Sequence, residues 1–178
     1  GVGNIEDQIA VWLRADADVN GFINGNSVET WQDITSNDND GFQDVSTQRP
    51  MYMTNLMNNR PALSFDGSND LIKINDTDDI NTGGPYDKKT IYVAFRTGSD
   101  VTTRQMIYEE GGGVRGLSIY IDNGTLYIGG WNEADDDGGA TTPWPSDGTG
   151  APYTLDVTFP INPNTNYFSV LQFDFDAD

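Results

Sequence analysis

The chain has 178 residues, of which 28 are acidic and 9 basic, so its formal net charge at pH 7 is −19. A field of this sign repels phosphate backbones and anionic lipid, which argues against nucleic acid and membrane surfaces as partners. No apolar run reaches the length of a transmembrane helix, so no membrane insertion is expected. The chain has no Cys and no His. Disulfides, Cys/His zinc sites and imidazole-based catalysis are therefore excluded, and any bound metal needs oxygen ligands.

Short apolar runs rich in β-branched and aromatic residues alternate with loops rich in Gly, Asn and Asp. In the first half of the chain these runs predict strands at residues 9–14, 28–34, 41–45 and 51–54. Residues 60–74 are predicted to form a hairpin, in which Leu63 and Phe65 precede a turn at 66–70 and Leu71 and Ile72 follow it. Trp12 and Trp31 lie within apolar strand patterns and are predicted core residues.

In the second half, strands are predicted at residues 90–97, 105–108, 117–121, 125–131, 153–159 and 167–175. Asn123-Gly124 between two alternating apolar runs is the strongest hairpin signal in the chain. No segment has a long apolar period of 3.6 residues, so helices should be few and short. These features predict a single domain over residues 1–178, built as an all-β antiparallel sandwich or barrel. An apolar strand close to the C-terminus leads us to expect a fragment of a larger protein, with further strands supplied from elsewhere.

Several segments together resemble a known family. They are Trp12-Leu13-Arg14-Ala15-Asp16-Ala17, Val28-Glu29-Thr30-Trp31-Gln32-Asp33, residues 60–70 and the hairpin at 117–127. This combination resembles laminin-G-like, concanavalin A-like jelly-roll domains of large secreted surface proteins and adhesins of bacteria. The resemblance covers about residues 8–175 and implies a jelly-roll β-sandwich that is incomplete at its C-terminal end. It also implies an extracellular, cell-surface location, but it is weak for function, because this fold carries many functions.

The best candidate ligand surface is the long loop of residues 132–152 and its aromatic neighbours. Exposed aromatic faces stack on sugar rings, and amide and carboxylate oxygens bind hydroxyl groups. The predicted ligand-binding residues are therefore Trp131, Asn132, Glu133, Trp144 and Tyr153. In the alternative interpretation, Trp131 packs in the core and Trp144 only anchors the loop.

Acidic loops raise the question of calcium, the only cofactor that the sequence suggests. The candidate ligands are Asp135, Asp136, Asp137, Asp76 and Asp78, and Asp66, Asn69 and Asp70 form a further cluster. Residues 16–23 match the first half of an EF-hand loop, but Ser27 stands where the bidentate acid belongs. For residues 16–23 the alternative is a capped turn. For the other clusters it is solvated carboxylates in turns or at a loop tip.

Glu133-x-Asp135-x-Asp137 resembles the Glu-x-Asp-x-Glu strand of jelly-roll glycoside hydrolases. Its last acid is too short and the segment reads as a loop, so no catalytic residues are assigned and the chain is predicted not to be an enzyme. The leading hypothesis is a non-catalytic binding or adhesion module that recognises carbohydrate or another surface ligand, with calcium assistance. The alternative is a structural module that pairs with a partner protein by strand addition.

Overall fold

The computed structural model describes residues 8–17, 20–82, 88–112, 115–132 and 153–174. Within these residues the chain forms eleven strands, and every strand pair is antiparallel. Helical segments are short, namely a 3₁₀ turn at Ser46–Gln48 and a π-helical turn at Asp78–Thr82. The prediction of an all-β, antiparallel fold with few helices is confirmed. The chain divides into two compact units, residues 1–84 and 85–178, and its prediction as a single domain stays a prediction.

The first unit contains two small sheets. Strands β1 (Thr30–Trp31), β2 (Gly41–Phe42) and β5 (Lys73–Ile74) form one sheet in the order β1-β2-β5. Strands β3 (Met51–Met57) and β4 (Arg60–Ser64) form the other. The predicted hairpin at residues 60–74 is therefore wrong, because its two halves pair with different strands. The tight turn lies instead at Asn58-Asn59, where both residues have positive φ.

The turn at residues 66–70 closes on itself. The Asp66 carboxylate accepts hydrogen bonds from the amides of Ser68 (2.8 Å) and Asn69 (3.0 Å), and also from that of Asp70. In return, the Asp70 carboxylate accepts the Asp66 amide at 2.9 Å. These bonds satisfy the turn within itself, and they let the chain leave β4 for a different sheet.

A buried carboxylate organises the start of the chain. Asp33 accepts hydrogen bonds from the Trp12 amide (2.8 Å), from the amide and hydroxyl of Thr35, and from the Asn39 amide (3.1 Å). Residues 9–14 therefore make an isolated bridge, Leu13 to Asp33, and the strand predicted there is wrong. Trp12 and Trp31 are half-buried rather than fully enclosed.

The second unit contains six longer strands: β6 (Lys88–Arg96), β7 (Gln105–Gly111), β8 (Arg115–Asp122), β9 (Thr125–Asn132), β10 (Tyr153–Pro160) and β11 (Asn166–Asp174). Four of them form a sheet in the order β10-β9-β8-β7, and β11 pairs with β6 in a second sheet. The predicted hairpin at Asn123-Gly124 is confirmed, since it joins β8 to β9 with positive φ at both residues.

Two sheets share the core of the second unit. The four-stranded sheet contributes Leu117, Ile119, Ile121, Leu126 and Ile128, and β11 contributes Leu171. Ile91, Val93 and Phe95 of β6 pack against the same cluster. These residues alternate along their strands, so each sheet turns one face inward. The inward face of the four-stranded sheet is apolar, which leaves its opposite face to carry the polar and aromatic side chains described next.

Candidate functional site

The candidate site lies on the outer face, defined as the face of the β7–β10 sheet opposite the core. Because opposed residues of an antiparallel pair share a face, the register determines which side chains meet there. In the β8–β9 hairpin, starting from the Asn123-Gly124 turn, the opposed pairs on this face are Tyr120 with Tyr127, Ser118 with Gly129, and Gly116 with Trp131. These three pairs form successive rows, and each row is two residues from the next along the strand.

Trp131 is held across the neighbouring strand. Its Nε1 donates a hydrogen bond to the carbonyl oxygen of Gly112 at 3.0 Å. Its six-membered ring lies directly over Gly116, so closely that a Cβ at that position would overlap the ring atoms. Gly116 is thus the residue type that the packing requires, because any side chain would displace the indole. Trp131 is half-buried, which leaves part of a fixed aromatic surface accessible.

A floor of small residues adjoins this ring. Ser118 and Gly129 are both small and both buried, and together we call them the floor. On the far side, Tyr120 and Tyr127 stack with ring centroids 4.7 Å apart and planes inclined by 3°. Trp131 lies four positions after Tyr127 along β9, so the two aromatic rows stand about 13 Å apart along the strand. The outer face therefore has two small residues, Ser118 and Gly129, between the tyrosine pair on one side and Trp131 on the other.

Charged groups border the floor and the tyrosine pair. Arg104 lies 5.4 Å from the Tyr120 ring centroid and forms an ion pair with Asp122 at 2.6 Å. In the row of the floor, Glu109 of β7 lies opposite Ser118 and Asp156 of β10 lies opposite Gly129. Desolvation by its surroundings raises the pKa of Asp156 above the ordinary value. The groups around the site are thus mainly acidic, and the charge of Arg104 is paired with that of Asp122.

The spacing of these carboxylates bears on catalysis. Glu109 and Asp156 occupy the two edge strands of a four-stranded sheet, so their Cα atoms lie about 14 Å apart. The paired carboxylates of glycoside hydrolases stand about 5 to 9.5 Å apart. The two acids are suited to accepting hydrogen bonds from a ligand, and their spacing does not favour a role as a hydrolytic pair.

The predicted ligand-binding residues fall into two groups. Trp131 lies on the outer face, while Asn132 and Tyr153 pair with each other at the ends of β9 and β10, with only their backbone described. Glu133, Trp144 and the whole segment 133–152 lie outside the described residues. The interpretation of Trp131 as a core residue is wrong, because its ring lies on the face opposite the hydrophobic cluster.

The calcium candidates remain predictions. Asp135, Asp136 and Asp137 lie outside the described residues, whereas Asp76 and Asp78 are exposed at the π-helical turn. In the part of the chain that is described, no three acidic side chains come together as a metal-ligand group. In the EF-hand-like segment, Asp16 forms ion pairs with Arg14 and Arg60, and the side-chain oxygen of Asn20 accepts the Gln32 amide. The hydrogen bond from Arg14 lowers the pKa of Asp16.

Sequence reasoning missed Gly116, Ser118, Gly129 and Asp156. A usable signal was present for the first three, because the Asn123-Gly124 turn sets the register of its two strands. Counting back from the turn would have placed a glycine opposite Trp131 and a serine opposite a glycine. Asp156 offered no such signal, since the register of β10 follows a long loop.

The comparisons with known proteins supply no relative: no family model, no curated protein and no solved structure matches the chain. Within the described residues, no helix is long and apolar enough to cross a membrane. The resemblance to laminin-G-like domains is therefore untested.

Proposed function

We propose that the chain is a non-catalytic binding module that recognises carbohydrate on the outer face of the β7–β10 sheet. The observation that carries the proposal is Trp131, whose indole is fixed over Gly116 by a hydrogen bond to Gly112. Fixing the ring before a ligand arrives lowers the entropy lost on binding.

The chemistry of this face favours a saccharide without negative charge. An aromatic ring offers its face to the C–H groups of a sugar, and nearby carboxylates accept hydrogen bonds from hydroxyl groups. Glu109 and Asp156 border the floor, and the whole chain carries a net charge of −19. A sulfated or uronic saccharide would meet repulsion, whereas a neutral or amine-bearing one would not.

The wider context follows from the resemblance and from the layering of the second unit. We propose a jelly-roll sandwich within a larger secreted or cell-surface protein of bacteria, where such a module would serve adhesion. Two sheets on one core support the sandwich. The extracellular location rests on the resemblance alone, and so does the assignment to bacteria.

The test is binding to an array of neutral, amino and acidic glycans, with and without a calcium chelator. Trp131→Ala should abolish binding to those glycans of the array that the wild-type protein binds. Tyr92→Ala is the matched control, because Tyr92 is an aromatic residue 64% exposed on β6, in the other sheet. Absence of wild-type binding in both conditions would overturn the proposal. Binding that survives the chelator would remove calcium from it and leave the rest standing.

A further inference from the structure

In the first unit, residues 21–28 are fixed along β3 by backbone hydrogen bonds. The Gly25 amide donates to the Tyr52 carbonyl oxygen at 2.8 Å, and the Tyr52 amide donates to the Asn26 carbonyl oxygen at 2.9 Å. A turn within the segment is closed by the Asn26 amide, which donates to the Ile23 carbonyl oxygen at 3.0 Å. The two stretches of chain therefore hold each other in position before any ligand is present.

A cavity of about 140 Å³ opens between this segment and β3, and we call it the first-unit pocket. Phe22 and Tyr52 line it with aromatic rings, whose centroids lie 5.0 Å apart and whose planes are inclined by 45°. The buried side chain of Val28 lines it as well, together with Asn26 and Ser27. The pocket thus combines two aromatic rings with polar side chains that lie next to each other in the sequence.

The volume of the first-unit pocket sets the size of a ligand. A cavity of about 150 Å³ admits a molecule of benzene. Pockets for drug-sized ligands are larger, at about 300 to 1,000 Å³. The first-unit pocket therefore has room for one six-membered ring and not for an extended chain.

The lining also restricts the chemistry of that ring. The side-chain amide of Asn26 and the hydroxyl of Ser27 are exposed, and they make no hydrogen bond within the part of the chain that is described. A purely apolar ligand would cover these groups without offering them a partner, which costs free energy. None of the described residues that line the pocket is charged, so a charged ligand would find no counter-ion there. The lining favours a neutral ring that carries hydrogen-bonding groups of its own.

We infer that the first-unit pocket is a separate saccharide site that takes a single neutral pyranose ring, free or at the end of a glycan. Phe22 and Tyr52 supply aromatic faces for its C–H groups, and Asn26 and Ser27 bind its hydroxyl groups. The described lining residues all belong to the first unit, so the inference does not rest on Trp131 or on the outer face. A single ring makes few contacts, so we expect a roughly millimolar dissociation constant, too weak for a washed glycan array to retain.

Titration of the isotope-labelled full chain with monosaccharides, followed by amide NMR signals, tests the inference. The probes are glucose, galactose, mannose and N-acetylglucosamine, each free and as its methyl glycoside, because a methyl glycoside mimics the end residue of a glycan. At least one probe should shift the signals of residues 21–28 and of Tyr52 until they saturate. The same shifts should appear in Trp131→Ala, which removes the indole of the outer face.

Asn26→Leu should weaken this binding about tenfold, because it keeps the size of the side chain and removes its hydrogen-bonding groups. The variant should remain folded, since the Asn26 side chain is exposed and bonds to none of the described residues. Asn55→Leu is the matched control, because Asn55 is also an exposed asparagine and lies on β3 without lining the pocket. Its affinity should equal that of the wild type.

Phenol is titrated as a comparison probe, because it has the same ring size and only one hydroxyl group. Phenol that binds where no monosaccharide does would overturn the assignment to a saccharide. The inference would also be overturned by signals of residues 21–28 that no sugar shifts, or by equal affinities of Asn26→Leu and Asn55→Leu. Shifts confined to β8 and β9 would overturn it and leave the proposed function standing. Shifts at the pocket that persist in Trp131→Ala would support it whatever the array shows.

Discussion

At the residue scale, several of the described carboxylates serve the backbone. Asp66 accepts three backbone amides in its turn, Asp33 accepts several groups near the start of the chain, and Asp100 binds the amides of Thr102 and Thr103. The many acids of the sequence suggested calcium. In the described structure, much of their bonding capacity is used to satisfy loops that lack regular secondary structure.

Asp66 should make stability depend on pH in the acid range. Hydrogen bonds from Ser68, Asn69 and Asp70 lower its pKa below 3.8. Because the folded pKa is depressed, its contribution is fully present above 3.8 and is lost as the pH falls through the folded pKa. Asp66→Ala should therefore lower Tm by a few degrees at pH 7, and by less as the pH falls below 3.8, in calorimetric scans.

Asp66→Asn is the control for this titration, since an amide oxygen still accepts hydrogen bonds but has no proton to gain. Its Tm should lie between those of the wild type and the alanine variant at pH 7. A gap between wild type and Asp66→Ala that stays constant from pH 7 to pH 2 would contradict the assignment.

Glu110 is the buried charge on which the second unit depends. It accepts a hydrogen bond from the Tyr108 hydroxyl and pairs with Lys89 at 2.7 Å. Burial, and then the charge of Glu110, raise the pKa of Tyr108. Glu110→Ala removes the carboxylate that pairs with the partly buried Lys89 and leaves a cavity beside it. We therefore expect the free energy of unfolding in urea to fall by about 3 kcal/mol. Glu109→Ala, at the exposed neighbouring position, should change it by less than about 0.5 kcal/mol.

At the element scale, the β8–β9 hairpin aligns the site. Asn123 and Gly124 have φ of 47° and 75°, and their amides donate to the carbonyls of Thr102 and Val101. The turn therefore does two things. It sets the register that brings Trp131 over Gly116, and it ties the hairpin to the loop after β6.

Gly124→Ala should cost about 1 kcal/mol of unfolding free energy, because an L-residue is strained at positive φ. No neighbouring atom would meet the added Cβ, so the cost comes from the backbone alone. Gly98→Ala is the matched control, since its surroundings are equally open and its φ is not positive. Equal changes in the two urea midpoints would contradict the turn assignment.

The strands of the second unit could be predicted because each is long and alternating. Residues 117–121 and 125–131 fall inside β8 and β9, and 153–159 falls inside β10. In the first unit the strands β1, β2 and β5 are two residues long, too short for any period to show. The pairing of residues 60–64 with β3 instead of with 73–74 depends on the Asn58-Asn59 turn, which the apolar pattern does not reveal.

The candidate site was predictable only in part. Trp131 stood out as an aromatic residue beside a long loop, but the sequence left open whether its ring faces a ligand or the core. Its fixed position depends on the carbonyl of Gly112 and on the missing side chain at Gly116, which are tertiary contacts. The same applies to Asp156, whose place beside Gly129 follows from a register that no local turn sets.

At the scale of the whole molecule, acidity limits what the chain can bind and where copies of it can meet. With a net charge of −19, anionic ligands and unshielded contacts between copies are both disfavoured. The outer face suits that limit, because it combines aromatic rings with hydrogen-bond acceptors for an uncharged or amine-bearing saccharide.

The central claim is that Trp131, held over Gly116, binds saccharide, and Gly116→Ala tests it most directly. The substitution keeps the indole, but its added Cβ would lie 2.3 Å from the ring and 2.5 Å from the backbone carbonyl oxygen of Glu110, so the ring must leave its place and the neighbouring strand must shift slightly. Isothermal titration with the strongest glycan from the array should show at least a tenfold weaker affinity for Gly116→Ala, with circular dichroism unchanged. An affinity equal to that of the wild type, in a variant that remains folded, would contradict the account.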